Sequence, residues 1–162
     1  MMGLHGVRIV QNCHNKTRHR GWITSMSDMK IEGGCLCGAV RYTLASKPQM
    51  TAICHCTHCQ RQGGSLFSMI CMVPRADMTI TGEMSLYLDT ADSGRKVERH
   101  FCGKCGSPII SVLEPMPHAA FVKAGTLDNW QDYKPSVEVY RSRSAEWFPH
   151  FEGVQVHDGA PG

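Results

Sequence analysis

Nine of the 162 residues are cysteine, and seven of these fall into three tight groups. The groups are Cys35-Leu36-Cys37, Cys54-His55-Cys56-Thr57-His58-Cys59 and Cys102-Gly103-Lys104-Cys105. Thiols this close in sequence bind a soft metal ion, pair as a disulfide or act as nucleophiles. An odd number leaves one cysteine over from any closed disulfide framework. Residues 1–27 carry Arg8, Lys16, Arg18 and Arg20 but no continuous apolar run of signal-peptide type. The default is therefore a reducing compartment, the cytoplasm, where clustered cysteines mean metal or catalysis.

The third group reads as half of a zinc site. In Phe101-Cys102-Gly103-Lys104-Cys105-Gly106 a tight turn sets two sulfurs on one ion, with glycine where the turn needs it. The competing redox reading of a CxxC wants a strand–helix–strand setting, and the neighbours here alternate like strands. Cys35 and Cys37 supply two further sulfurs, expected on one face of a strand because residues i and i+2 share a face. Cys35, Cys37, Cys102 and Cys105 then make a closed structural tetrahedron.

The middle group offers three thiolates on one short segment. Cys54 and Cys56 share a strand face, with Cys59 returning from the next turn, and a fourth position stays open, as in catalytic zinc sites. His58, His100 or Cys71 would close that position if the protein supplies its own fourth ligand; His55 points to the opposite face. Cys71, inside LFSMICMV, is otherwise a buried inert thiol, and Cys13 stands apart as no ligand.

Something must position these groups, and the pattern for it is β. Val40–Leu44, Met78–Ile80 and Leu86–Leu88 alternate, with Gly82 and Glu83 as a turn between the last two. Leu66–Val73 is a continuous apolar run suited to a buried strand, and Pro108–Leu113, Ala120–Ala124 and Val137–Tyr140 add three more. Only Thr57–Gly63 and Asp128–Tyr133 have room for a turn or two of helix. Trp147, Phe148 and Phe151 are expected to close the core or wall a pocket.

Composition bounds the rest. A hydrophobic fraction of 42% and a charged fraction of 19% fit one globular domain, expected over 28–156. Residues 1–27 are expected to be a disordered or non-native extension and 157–162 a flexible tail. No apolar run approaches the roughly 18 to 20 residues that cross a bilayer. A net charge of +3 from scattered basic residues argues against a nucleic-acid surface, which needs a basic stripe. No oligomeric state follows from any of this.

GGCLCGAVRY at 33–42, CHCTHCQRQGG at 54–64 and ERHFCGKCGSPI at 98–109 together resemble the glutathione-dependent formaldehyde-activating enzyme family, whose domain is shared with centromere protein V. The resemblance runs from about Lys30 to Gly153 and includes GTLD at 125–128 and VYRSRSAEW at 139–147. It implies a mainly β fold of several small coiled sheets, of β-tent type, pinned by zinc with little helix. It implies two Zn(2+) per chain, structural at the four cysteines and catalytic at the three, with glutathione as co-substrate. The implied activity is that of a carbon–sulfur lyase, forming or cleaving an S-hydroxymethylglutathione adduct from a small-molecule thiol and formaldehyde. His58 would then supply a proton, and Arg61 or Lys104 would hold a glutathione carboxylate. Two other classes fit the same residues: a zinc-stabilised binding module for protein or nucleic acid, and a thiol or metal sensor.

Overall fold

Short alternating segments interrupted by proline and glycine cannot sustain helices, and they satisfy their backbone groups across strands instead. The computed structural model describes residues 30–160, so the expected extension at 1–27, with Cys13, lies outside the described residues. The strands are β1 (Ile31–Gly34), β2 (Arg41–Leu44), β3 (Met50–Cys54), β4 (Ser68–Pro74), β5 (Met78–Thr81) and β6 (Met84–Thr90). After them come β7 (Lys96–Cys102), β8 (Pro108–Leu113), β9 (Met116–Lys123), β10 (Val137–Val139) and β11 (Gln155–Val156). Among the described residues one α-helix, α1 (Thr57–Gly63), interrupts them between β3 and β4. It is far too short to cross a membrane, and no helix there is long and apolar enough to do so.

The fold is mainly β, as the alternation requires, with the strands gathered into two sheets. The smaller has the order β1-β2-β5 and the larger β11-β10-β3-β4-β9-β8-β7-β6. Pairing is antiparallel except where β10 runs parallel to β3 and to β11. The core lies between the sheets: Ile31, Tyr42 and Leu44 of the small sheet, with Val40 just before β2, meet Cys71, Val73, Ile110, Val112, Ala120 and Val122 of the large one. Cys71 is fully buried in that core, consistent with an inert thiol.

Register decides what the other face of the large sheet carries. Cys54 pairs with Ser68, Ile70 with Lys123, Phe121 with Ser111, Ser111 with Arg99, and Arg99 with Tyr87. With a side-chain period of two, these residues share the face turned away from the core. Helix α1 lies on that side, tied to the sheet by His58.

Several local expectations change. Gly82 does turn the chain, at φ 88°, but it links β5 and β6 of different sheets rather than a hairpin within one. Over Asp128–Tyr133 only one 3₁₀ turn forms, Trp130–Asp132. The chain enters it extended, because Asp128 N–H donates to Glu32 at 2.9 Å and Leu127 bridges Gly33. Near the C-terminus the Tyr140 N–H donates to the Gly159 carbonyl at 3.1 Å and the His157 N–H to the Glu138 carbonyl at 2.8 Å. Of the three aromatics near the C-terminus only Phe148 is buried, packing edge-on against His55 and Phe67, while Trp147 is 71% exposed.

Candidate metal centres

The four-cysteine set joins the two sheets. Cys35 and Cys37 lie in the turn after β1, not on a common strand face, while Cys102 closes β7 and Cys105 follows in the turn to β8. The turn is needed because a strand would hold the two sulfurs too far apart to meet the opposing pair. All four sulfurs lie within 4.8 Å of one another. A tetrahedron of zinc–thiolate bonds of ~2.3 Å has sulfur–sulfur edges of about 3.8 Å. Cys35 and Cys37 are 3.5 Å apart, and Cys37 and Cys102 3.7 Å. Ser107 and backbone hydrogen bonds hold the Cys105 thiol down to about 5, so one ligand is already anionic at neutral pH. The donor set fits a closed structural metal.

The three-cysteine set wraps the start of α1. Cys54 ends β3, Cys56 is the helix N-cap, and the Cys59 N–H donates to Cys56 Sγ at 3.3 Å. The three sulfurs lie within 4.8 Å of one another, and among the described residues no fourth cysteine, histidine, aspartate or glutamate joins them. His58, His100 and Cys71 do not close the set. Each His58 nitrogen is taken by a carboxylate, Asp89 at 2.9 Å and Asp92 at 3.1 Å, and His100 pairs with Glu98 at 3.0 Å. His55 turns away as expected, fully buried, with Nε2 on Glu138 Oε1 at 2.7 Å.

Charge supports metal at the three-cysteine set. Arg99 and Lys123, 4% and 6% exposed, stand on the same sheet face as Cys54. Arg99 Nε donates to Asp89 at 2.7 Å and is neutralised. Lys123 Nζ donates to Ser68 Oγ at 3.0 Å and forms no ion pair among the described residues. Buried ammonium groups are paired or strongly destabilised. Three thiolates around a divalent ion carry one net negative charge, which is the partner Lys123 lacks. Hydrogen bonds from Cys54 and Cys56, backed by Lys123 and Arg99, hold the Cys59 thiol down to about 2. Hydrogen bonding to Cys56 and Cys59 pushes the Cys54 thiol up.

Beside this set is a cavity of about 380 Å³ lined by His58, Arg61, Gln62, Tyr87, Asp89 and Arg99. His58 and Arg61 thus meet at one site. Lys104 does not line it: it is exposed in the turn of the four-cysteine set. Lys123, Asp89, Asp92 and Tyr87 lie outside the cysteine motifs, and Arg99 lies inside ERHFCGKCGSPI, where spacing alone gives it no role. For Lys123, Arg99 and Asp89 the signal is a charged residue within a strand, as in AAFVK, KVERHF and LYLDT, and each is buried. Tyr87, 61% exposed, and Asp92, beyond the end of β6, carry no such signal.

The profile of the glutathione-dependent formaldehyde-activating enzyme family matches residues 30–143. Relatives named for that family are 28% identical over 115 residues in Aspergillus flavus, covering 65% of this chain. Another in Penicillium rubens is 29% identical over 113 residues, covering 67% of this chain. The chain spans about 60% of the length of these curated relatives. A solved Rhodobacter sphaeroides protein aligns with a TM-score of 0.46 and 20% identity, over 60% of this chain and 88% of that one.

Proposed function

We propose a thiol-dependent zinc lyase, proceeding from the fact that the chain belongs to the glutathione-dependent formaldehyde-activating enzyme family. In this reading Cys54, Cys56 and Cys59 hold a catalytic zinc, and Cys35, Cys37, Cys102 and Cys105 a structural one. Glutathione and formaldehyde are the substrates. The thiol sulfur bonds to the carbonyl carbon, the carbonyl π bond opens, and the thiol proton ends on oxygen, giving S-hydroxymethylglutathione; the lyase direction reverses these changes. When bound, zinc supplies a Lewis acid that favours the deprotonated, nucleophilic form of a thiol near neutral pH.

The chain's own residues do the remainder. His58 lines the cavity with Nδ1 held by Asp89, and in this reading Nε2 exchanges its contact with Asp92 for the alkoxide oxygen and gives it a proton. Arg61, exposed on α1 at the cavity wall, pairs with a glutathione carboxylate. Arg99, fixed by Asp89, lines the cavity as a preorganised guanidinium whose remaining N–H groups can donate to the developing alkoxide.

One observation carries the reading: a three-thiol set without a fourth protein ligand among the described residues, next to a cavity with a histidine and two arginines. The test is glutathione-dependent consumption of formaldehyde by wild type and Cys56→Ser, with zinc counted per chain. Two zincs, turnover in wild type and a folded, inactive variant are expected. Wild-type turnover no faster than the uncatalysed reaction sinks the proposal.

A further inference from the structure

We infer that Lys123 is the counter-charge of the three-cysteine centre and biases that centre toward an anionic rather than a neutral fourth partner. The inference rests on the zinc–thiol reading above and concerns a residue outside the three cysteines and outside the cavity lining.

Its basis is the charge inventory of one sheet face. Register brings Cys54, Ser68, Lys123, Ser111 and Arg99 onto adjacent strands of that face, all of them buried. Two cations are present. Arg99 reaches Cys59 but is matched by Asp89 at 2.7 Å, so this pair adds no net charge. Lys123 has only the hydroxyl of Ser68, a neutral acceptor, and it forms no ion pair among the described residues. Ser68 in turn pairs with Cys54 in the register, and the anionic groups that act most on Lys123 are Cys59, Cys54 and Cys56. A buried ammonium so placed requires a negative group nearby.

A divalent ion on three thiolates meets that requirement with one net negative charge. A thiolate as fourth partner raises the charge to two, and burying that excess without a cation is costly at low dielectric. Water or imidazole adds none. Lys123 therefore stabilises the thiolate-bound form more than the neutral-ligand form. The influence is reciprocal: burial draws the Lys123 ammonium down, and the charge of Cys59 draws it up.

Ser111 marks the same face as unfinished. Its Oγ is buried, without a hydrogen-bond partner among the described residues, between Arg99 and Phe121 in the register. A buried hydroxyl left open beside the Arg99 guanidinium suits an acceptor atom brought in by a ligand.

The test uses the full chain loaded with Co(2+) in place of zinc, whose visible spectrum reports the fourth partner. Glutathione and imidazole are titrated separately into wild type, Lys123→Met and Lys123→Arg. Lys123→Met is expected to lose roughly tenfold or more in affinity for the thiol with imidazole affinity unchanged, while Lys123→Arg keeps wild-type preference. Should Lys123→Met fail to fold, Lys123→Gln, also neutral, replaces it. Equal thiol affinity in the neutral variant and wild type, or equal losses for thiol and imidazole, overturns the inference and leaves the proposed function standing. A wild-type centre that takes up no thiol overturns both.

Discussion

His55 Nε2 and Glu138 Oε1 lie 2.7 Å apart with neither side chain open to solvent, joining the end of β3 to its parallel neighbour β10 directly behind the three-cysteine set. Arg141 reaches the same carboxylate oxygen at 2.6 Å. Burial raises the Glu138 carboxyl, but Arg141 and His55 more than offset it and hold it below the usual range. A folded-state value below the unfolded one means stability that is present above the unfolded pKa of about 4.3 and is lost as pH falls through the folded value. The urea midpoint of wild type should therefore fall steeply on acidification below that point. Glu138→Gln should flatten this dependence and cost about 3 kcal/mol at neutral pH, because it leaves the buried His55 and the half-buried Arg141 without their shared carboxylate. Equal acid sensitivity in wild type and variant would show that this carboxylate does not control the transition.

The two cysteine sets should fail differently. Cys102→Ser opens the link between the β1–β2 turn and the β7–β8 turn, and a structural zinc is worth on the order of 10 kcal/mol, comparable with a domain's whole stability. That variant, or chelation of the wild type, should unfold the protein. Cys56→Ser should lose one metal and stay folded, and Cys71→Ala should keep both. Near-UV circular dichroism with metal content separates these outcomes. A fully metal-free protein with native near-UV dichroism would refute the structural role.

Gly82, which with Glu83 connects β5 to β6, has no room for a side chain. At φ 88° a Cβ there would stand 2.0 Å from the Ala39 carbonyl oxygen. Gly82→Ala should lower stability by about 2 kcal/mol or more, from left-handed strain plus the backbone clash. Gly94, at φ 80° with nothing within 4 Å, is the control that carries strain without the clash. Matching losses at the two positions by denaturant unfolding would mean that the close approach of the sheets is unimportant.

Within the proposed activity, Arg61→Ala and His58→Gln should separate binding from chemistry. Arg61 is exposed on the wall of the cavity, so its loss should raise KM for glutathione about tenfold with kcat nearly unchanged. His58→Gln keeps hydrogen bonding toward Asp89 but cannot carry the proton, and should lower kcat by roughly 100-fold. Steady-state kinetics in both substrates would decide. A drop in kcat for Arg61→Ala with KM unmoved would reassign that residue.

Much of this was legible in the residues. Cysteine spacing sorted a group of four thiols from a group of three, because metal binding by thiols needs short loops and few residue types can substitute. That Cys71 belongs to neither came only from its burial in the core. Alternation at Val40–Leu44, Met78–Ile80 and Pro108–Leu113 announced strands because a side-chain period of two leaves a direct trace. Which sheet each strand joins left no such trace: β5 and β6, neighbours across Gly82, separate into different sheets. Pairing partners are chosen by long-range packing rather than by local preference. The same holds for Lys123, Arg99 and Asp89, single charged residues in unremarkable strands until register sets them on the face of Cys54. The sequence alone determined which atoms can bind metal. Tertiary structure alone decided which charges stand beside them, because that depends on contacts between residues tens of positions apart.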